Sequence, residues 1–178
     1  VDARVSTTID GMALDQVSVQ GSDGKAVEAA HAVDKVKQSI TDVLSGEVDP
    51  ADVLRHQREQ PDRTSVFSVA PRVLIDNGVS DIHTMIEVNG RDRRGLLYSV
   101  TQALTELGMA ISSARIATYG ERAVDVFYVR DSYGLQITAE VRLDTIRERL
   151  MEAVVQSTET ADTKMPPAAP QSDAALAS

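Results

Sequence analysis

The sequence has no cysteine and no tryptophan, and only two phenylalanines and four tyrosines among 178 residues. Without cysteine there is no disulfide and no thiolate metal site, and the chain suits a reducing compartment, the cytoplasm. With so few rings, the core must be built from Val, Leu, Ile and Ala, the filling of thin sheet-and-helix layers. Positive charge is also short. Eighteen Lys and Arg face 27 Asp and Glu, a net charge of -9. That balance excludes nucleic acid as a partner, because phosphate contact needs clustered cations. It excludes an anionic membrane surface for the same reason. No apolar run approaches the ~20 residues that span a bilayer, and no signal-peptide pattern opens the chain. What is present suffices for a core: 42% of residues are hydrophobic. The length accommodates one domain or two small ones.

An internal repeat organises the chain. Ala3-Arg4-Val5-Ser6-Thr7 recurs as Ala114-Arg115-Ile116-Ala117-Thr118, 111 residues further on. After one residue is dropped in the following turn, Ala13, Asp15, Val19, Ser22, Gly24 and Asp34 match Ala123, Asp125, Val129, Ser132, Gly134 and Asp144 at a spacing of 110. Val36 and Ile40 then take the places of Ile146 and Leu150. The order is collinear with a single gap. By this spacing Val1 corresponds to Ser112, whereas the second copy begins near Thr84. The first copy therefore lacks counterparts of residues 84–111, a strand and a helix, and the chain reads as a fragment of something longer.

In the second copy, residues 84–89 read as a strand and Gly90 to Gly95 as a loop. A helix follows with Leu97, Val100, Leu104 and Leu107 on its core face, ended by Gly108. Residues 111–118 and 123–130 are expected strands joined by the turn Tyr119 to Arg122. A second helix turns Leu143, Ile146, Leu150 and Ala153 inward, and its first-copy equivalent turns Val33, Val36, Ile40 and Val43 inward. No fourth strand follows, because from Ser157 the composition is that of a disordered tail. Arg72 to Asp76, turned back by Asn77-Gly78, can supply it antiparallel to 84–89; residues 66–69 instead can complete the first copy. Between the copies, Asp49-Pro50 reads as an N-cap and first-turn proline, and His56 to Arg63 as polar linker. The expected fold is α+β: tandem ferredoxin-like βαββαβ domains, the first truncated. Residues 1–70 hold the partial first domain and linker, 71–156 the second domain and 157–178 the tail.

The segment Asn89-Gly-Arg-Asp-Arg-Arg-Gly-Leu96 carries the chemistry. A strand enters a glycine-bounded loop that opens onto an apolar helix. Backbone N–H groups at a helix N-terminus suit a carboxylate, and Asp92 can pair with an α-ammonium group. Together they suit a zwitterionic amino acid. An ordinary strand-to-helix turn with surface charges has the same features.

These residues, with Ile86 to Tyr98 and Ser113 to Val129 read as whole strings, resemble the C-terminal ACT domain of the bacterial PII uridylyltransferase/uridylyl-removing enzymes. Val1 to Arg4, Asp10 to Asp15 and Pro71 to Asn77 resemble the first ACT domain and connector of the same family. The resemblance covers roughly residues 1–155. In one place it departs: Arg94 stands where the family's loop has proline, which would preset φ at the helix start.

The resemblance implies a nitrogen sensor. Such enzymes uridylylate PII signal proteins when glutamine is scarce and remove the group when it is plentiful, using magnesium. The ACT pair is where glutamine acts. Carried over residue by residue, the ligand loop is Asn89, Gly90, Asp92, Arg93, Arg94, Gly95 and Leu96, completed by the strand entry Ile111, Ser112 and Ser113, which faces a neighbouring ACT sheet. ACT–ACT packing within or between chains is implied too. A free-standing ACT-repeat amino-acid-binding protein without enzymatic activity is the alternative.

No catalytic residue is assigned to this chain. Nucleotidyl transfer on paired metals wants clustered carboxylates, and no Asp-x-Asp occurs. His31, His56 and His83 precede Ala, Gln and Thr rather than Asp, and read as surface residues. Gly21-Ser22 reads as a turn. Arg4/Arg115 and Asp15/Asp125 read as cross-strand ion pairs, worth little if exposed. A ferredoxin-like RNA binder would need exposed aromatics and a basic face, and neither is present. Sheet edges that mediate self-association are a further alternative.

Overall fold

Alternating apolar residues pair into a six-stranded antiparallel sheet in the computed structural model, which describes residues 2–8, 10–21, 25–58 and 69–159. In chain order the elements are β1 (Asp2–Thr7), β2 (Ala13–Ser18), α1 (Ala30–Leu44), α2 (Pro50–Arg58), β3 (Arg72–Asp76), β4 (Thr84–Arg91), α3 (Leu96–Glu106), β5 (Ala110–Tyr119), β6 (Arg122–Arg130) and α4 (Glu140–Glu159). The sheet runs β2-β1-β5-β6-β4-β3.

Strands β3 to β6 with α3 and α4 make one complete α+β unit of the expected ferredoxin-like kind. Its fourth strand is β3, which runs antiparallel to β4 with Ile75 opposite Ile86. Residues 66–68 lie outside the described residues, so the other candidate segment has no structural counterpart to compare. Inward positions with period two on β4 and β6, Ile86, Val88, Phe127 and Val129, meet Val100 and Leu104 of α3 and Ile146 and Leu150 of α4. At the end of the β3–β4 turn, the Gln136 side-chain amide donates to the carbonyls of Ser80 (2.8 Å) and His83 (2.9 Å). The Ile137 N–H donates to Thr84 Oγ1 at 3.0 Å, which ties the chain entering α4 to β4.

The repeat is visible in the hydrogen bonding. Val5 faces Asp15 in the β1–β2 ladder as Ile116 faces Asp125 in the β5–β6 ladder. The loops after each pair also agree, Gly21 N–H to Lys25 O and Asp131 N–H to Leu135 O. The two copies join edge to edge through β1 and β5, with Arg4 directly opposite its own counterpart Arg115. A local two-fold relation between the copies therefore passes through that arginine pair.

Several expectations change. The core face of α3 is Leu96, Val100, Ala103 and Leu104, and Leu97 is 40% exposed. The helix starts at Leu96, which puts Leu97 about 100° round from the seam. In α1 no residue is buried, and Val36 and Ile40 are 40% and 54% exposed. The reason is that the first copy has within this chain no counterpart of β4 and α3, the elements beside which α4 buries the same stripe. Asp49 Oδ1 accepts the Ala51 N–H at 2.8 Å, so the start of α2 is as read. That helix continues through Arg58, so His56 to Arg58 are helical rather than linker. Likewise α4 continues through Ser157 to Glu159, and residues 160–178 lie outside the described residues.

The proposed cross-strand ion pairs do not form. Arg115 faces Val126, whereas Ile116 faces Asp125, so Arg115 and Asp125 project from opposite faces of the sheet. His83 is half-buried rather than a surface residue. Its ring stands edge-on to Tyr128 at 6.3 Å, and burial followed by the Arg130 charge lowers its pKa.

Candidate functional site

β4 delivers the chain to the N-terminus of α3 through a short loop that is held from two sides. The Asp92 N–H donates to the carbonyl of Glu121 in the β5–β6 turn at 2.7 Å. The Arg93 guanidinium donates to the Ala153 carbonyl on α4 at 3.0 Å. Gly95 is the N-cap with φ 77 and ψ 5, and no side chain caps the helix there. This left-handed backbone strains any residue with a Cβ, which is why glycine stands at the bend.

Gly90 answers a different demand. A Cβ there would lie 2.8 Å from Val154 Cγ1, so its absence lets β4 and α4 approach. Gly90→Ala should lower stability by on the order of 1–2 kcal/mol, as overpacking does. Adding Val154→Ala should restore part of that loss. Thermal melts of the single and double variants check it; additive losses would mean the two sites are not in contact.

The loop opens on a hollow of about 470 Å³ on the helix-covered side of the sheet. Asp92, Arg93, Gly95 and Leu96, four of the expected ligand residues, line it. So do residues that sequence reasoning did not assign to the site: Leu97, Tyr98 and Thr101 of α3, Ile116 and Thr118 of β5, and Leu54, by which the connector helix α2 reaches the site. Asp125 of β6 lines it as well and is only 2% exposed. Burial pushes the Asp125 carboxyl up to about 6; the Ala117 backbone N–H opposes this and the Asp92 charge adds to it. Polarity of both signs thus faces one hollow, a helix N-terminus and Arg93 against Asp92 and Asp125.

The other expected ligand residues are placed elsewhere. Asn89 is buried on the opposite face of the sheet. Its amide donates to Glu87 Oε1 at 2.6 Å and accepts from Arg122 at 2.9 Å. Gly90 serves the β4–α4 contact, and Arg94 is exposed and does not line the hollow. Ile111, Ser112 and Ser113 lie at the far end of β5, five residues and roughly 16 Å of strand from Thr118. Ser113 faces Ser6 of β1, and the Ile111 carbonyl accepts from the Thr7 hydroxyl at 3.2 Å. Antiparallel joining of the copies is the cause. It brings the first copy's strand entry, with Ala3 opposite Ile116, to the second copy's loop. The signal for Asp125 was in the sequence: an acid at an inward position between Ala123 and Phe127.

Residues 79–157 match the family described as the ACR family N-terminal ACT domain. The chain is 53% identical over 156 residues to a bifunctional uridylyltransferase/uridylyl-removing enzyme of Azospirillum brasilense, covering 86% of this chain and 17% of that protein. A protein of the same description from Rhodospirillum rubrum is 46% identical over 158 residues, covering 88% and 17%. One from Gluconobacter oxydans is 47% identical over 161 residues, again covering 88% and 17%. The chain thus spans about 17% of the length of these relatives. No solved structure matches it.

Proposed function

We propose, from the match of residues 79–157 to the ACR family N-terminal ACT domain, that the chain is the regulatory, glutamine-sensing part of a bifunctional enzyme that uridylylates and deuridylylates PII signal proteins. The second domain would span residues 71–156 and the partial first domain 1–70. The observation that carries the reading is the Asp92 to Gly95 loop, whose helix N-terminus opens on a hollow of about 470 Å³, ample for an amino acid. The connector helix α2 reaches the same hollow through Leu54, so a ligand there would touch both the sensor and the link between copies. Coupling to catalysis elsewhere needs only ~1–3 kcal/mol of differential binding.

Catalysis and magnesium belong, on this reading, to other parts of the parent enzyme. Among the described residues, no group of three or more His, Cys, Asp or Glu is placed to hold a metal ion. No described helix is long and apolar enough to cross a membrane, and the cytoplasm is the compartment that fits the cysteine-free composition.

L-Glutamine should raise the melting temperature of this chain by several degrees at about a hundredfold excess over Kd, and L-glutamate should not. Differential scanning fluorimetry reads the difference. A flat response to both amino acids would remove the sensing role from this chain.

A further inference from the structure

We propose that Asp125 receives the α-ammonium group of the bound amino acid, and that its burial makes binding responsive to pH. The inference rests on the reading of the hollow as an amino-acid site.

Asp125 is buried, lines the hollow and leaves its Oδ1 without a hydrogen-bond partner among the described residues. Buried polar groups are nearly always paired, and a buried carboxylate without a full set of donors is costly. Its inward neighbours on β6 are Ala123, Phe127 and Val129, so the position would accept an apolar side chain. The repeat nevertheless places aspartate twice, at 15 and 125, in the same strand register. A carboxylate retained against the local packing preference at the wall of a hollow marks a functional group more often than a structural one.

The surroundings specify the ligand. Among the lining residues, the charged and titratable groups facing Asp125 are Asp92 and Arg93 from the loop and Tyr98 from α3. The contributions of β5 and α2, Ile116, Thr118 and Leu54, carry no charge. Arg93 donates to the Ala153 carbonyl, and the influences on the Asp125 carboxyl are burial, the Ala117 backbone and the Asp92 charge. An ammonium group entering the hollow satisfies Asp125 Oδ1 and screens it from Asp92. The ligand carboxylate faces the α3 N-terminus, where no side chain caps the helix. In the empty site at low pH the carboxyl holds a proton. On binding, that proton leaves to solvent, the ammonium group keeps its own three, and no covalent bond changes.

The test is calorimetric titration of the full chain with L-glutamine across pH, and with glutaramate, which is glutamine without the α-amino group. Affinity for glutamine should be flat above about pH 7 and about tenfold weaker near pH 5. Titrations in buffers of different protonation enthalpy should show release approaching one proton at the lower pH. Asp125→Asn should weaken glutamine binding at neutral pH by about tenfold or more, abolish the pH response and erase the preference for glutamine over glutaramate. Asp92→Asn, on the exposed rim, should keep that preference. Retention of affinity, pH response and preference in Asp125→Asn, or their loss in Asp92→Asn alone, overturns the assignment and leaves the amino-acid reading standing. Failure of the unsubstituted chain to bind glutamine overturns both.

Discussion

Phe127→Ala is expected to remove about 3–5 kcal/mol of unfolding free energy, the range for deleting a fully buried aromatic ring. Phe127 lies on the inward side of β6, 1% exposed, in the cluster that joins the sheet to α3 and α4. In a chain so poor in rings it is the largest fully buried side chain among the described residues. A domain of this size is stable by only ~5–15 kcal/mol, so the variant should lose about a fifth or more of its stability. Urea unfolding measures it, with Ile40→Ala as the comparison. Ile40 occupies the repeat position of the fully buried Leu150 but is 54% exposed on α1, and its truncation should cost under about 0.5 kcal/mol. Equal losses in the two variants would show that both copies have closed cores, contrary to this structure.

Asp125 should make stability depend on pH in the direction opposite to a salt-bridged acid. Its pKa is raised in the folded state to about 6 from the ordinary 3.8. Below 3.8 both folded and unfolded forms are protonated and burial carries no charge penalty. As pH rises from there to about 6 the unfolded chain ionises first, and stability falls. Above about 6 the loss is complete and constant, on the order of 2–3 kcal/mol. Asp125→Asn should therefore be more stable than the unsubstituted chain near pH 8, with the advantage gone near about pH 4. Other acids titrate in both proteins, so the difference between their urea midpoints isolates this one group. A difference that is flat with pH would mean Asp125 is not held in the neutral form. A difference that follows pH as described makes the variant the more stable protein and the poorer binder, the usual relation where a site stores an unfavourable charge.

The elements of the second copy were legible because each carries a local signal. Period-two alternation marks β4, β5 and β6, and the Leu143-Ile146-Leu150-Ala153 stripe marks α4. The loop was legible from Asp92 and Gly95 between a strand and an apolar helix. Asp125 was noticed but misread as half of an ion pair, because sequence spacing does not say that Arg115 and Asp125 leave the sheet on opposite faces. Leu97 was misassigned to the core by one residue, since a helical stripe is only as good as the starting point chosen for it. For α1 the amphipathic stripe is real, but a stripe records what a helix can bury, not whether a partner is present.

By itself the sequence determined the repeat, the α+β class, the strands and helices of the complete copy and the place of its loop, because these depend on residues near one another in the chain. Only the tertiary structure decided which strand entry adjoins which loop, since that follows from antiparallel pairing of β1 with β5 across more than a hundred residues. It also decided that Asp125 is buried at the wall of the hollow that Asp92 also lines, and that Asn89 is occupied by Glu87 and Arg122. Burial and the side of a sheet are properties of the assembled layers, and no local run of residues carries them.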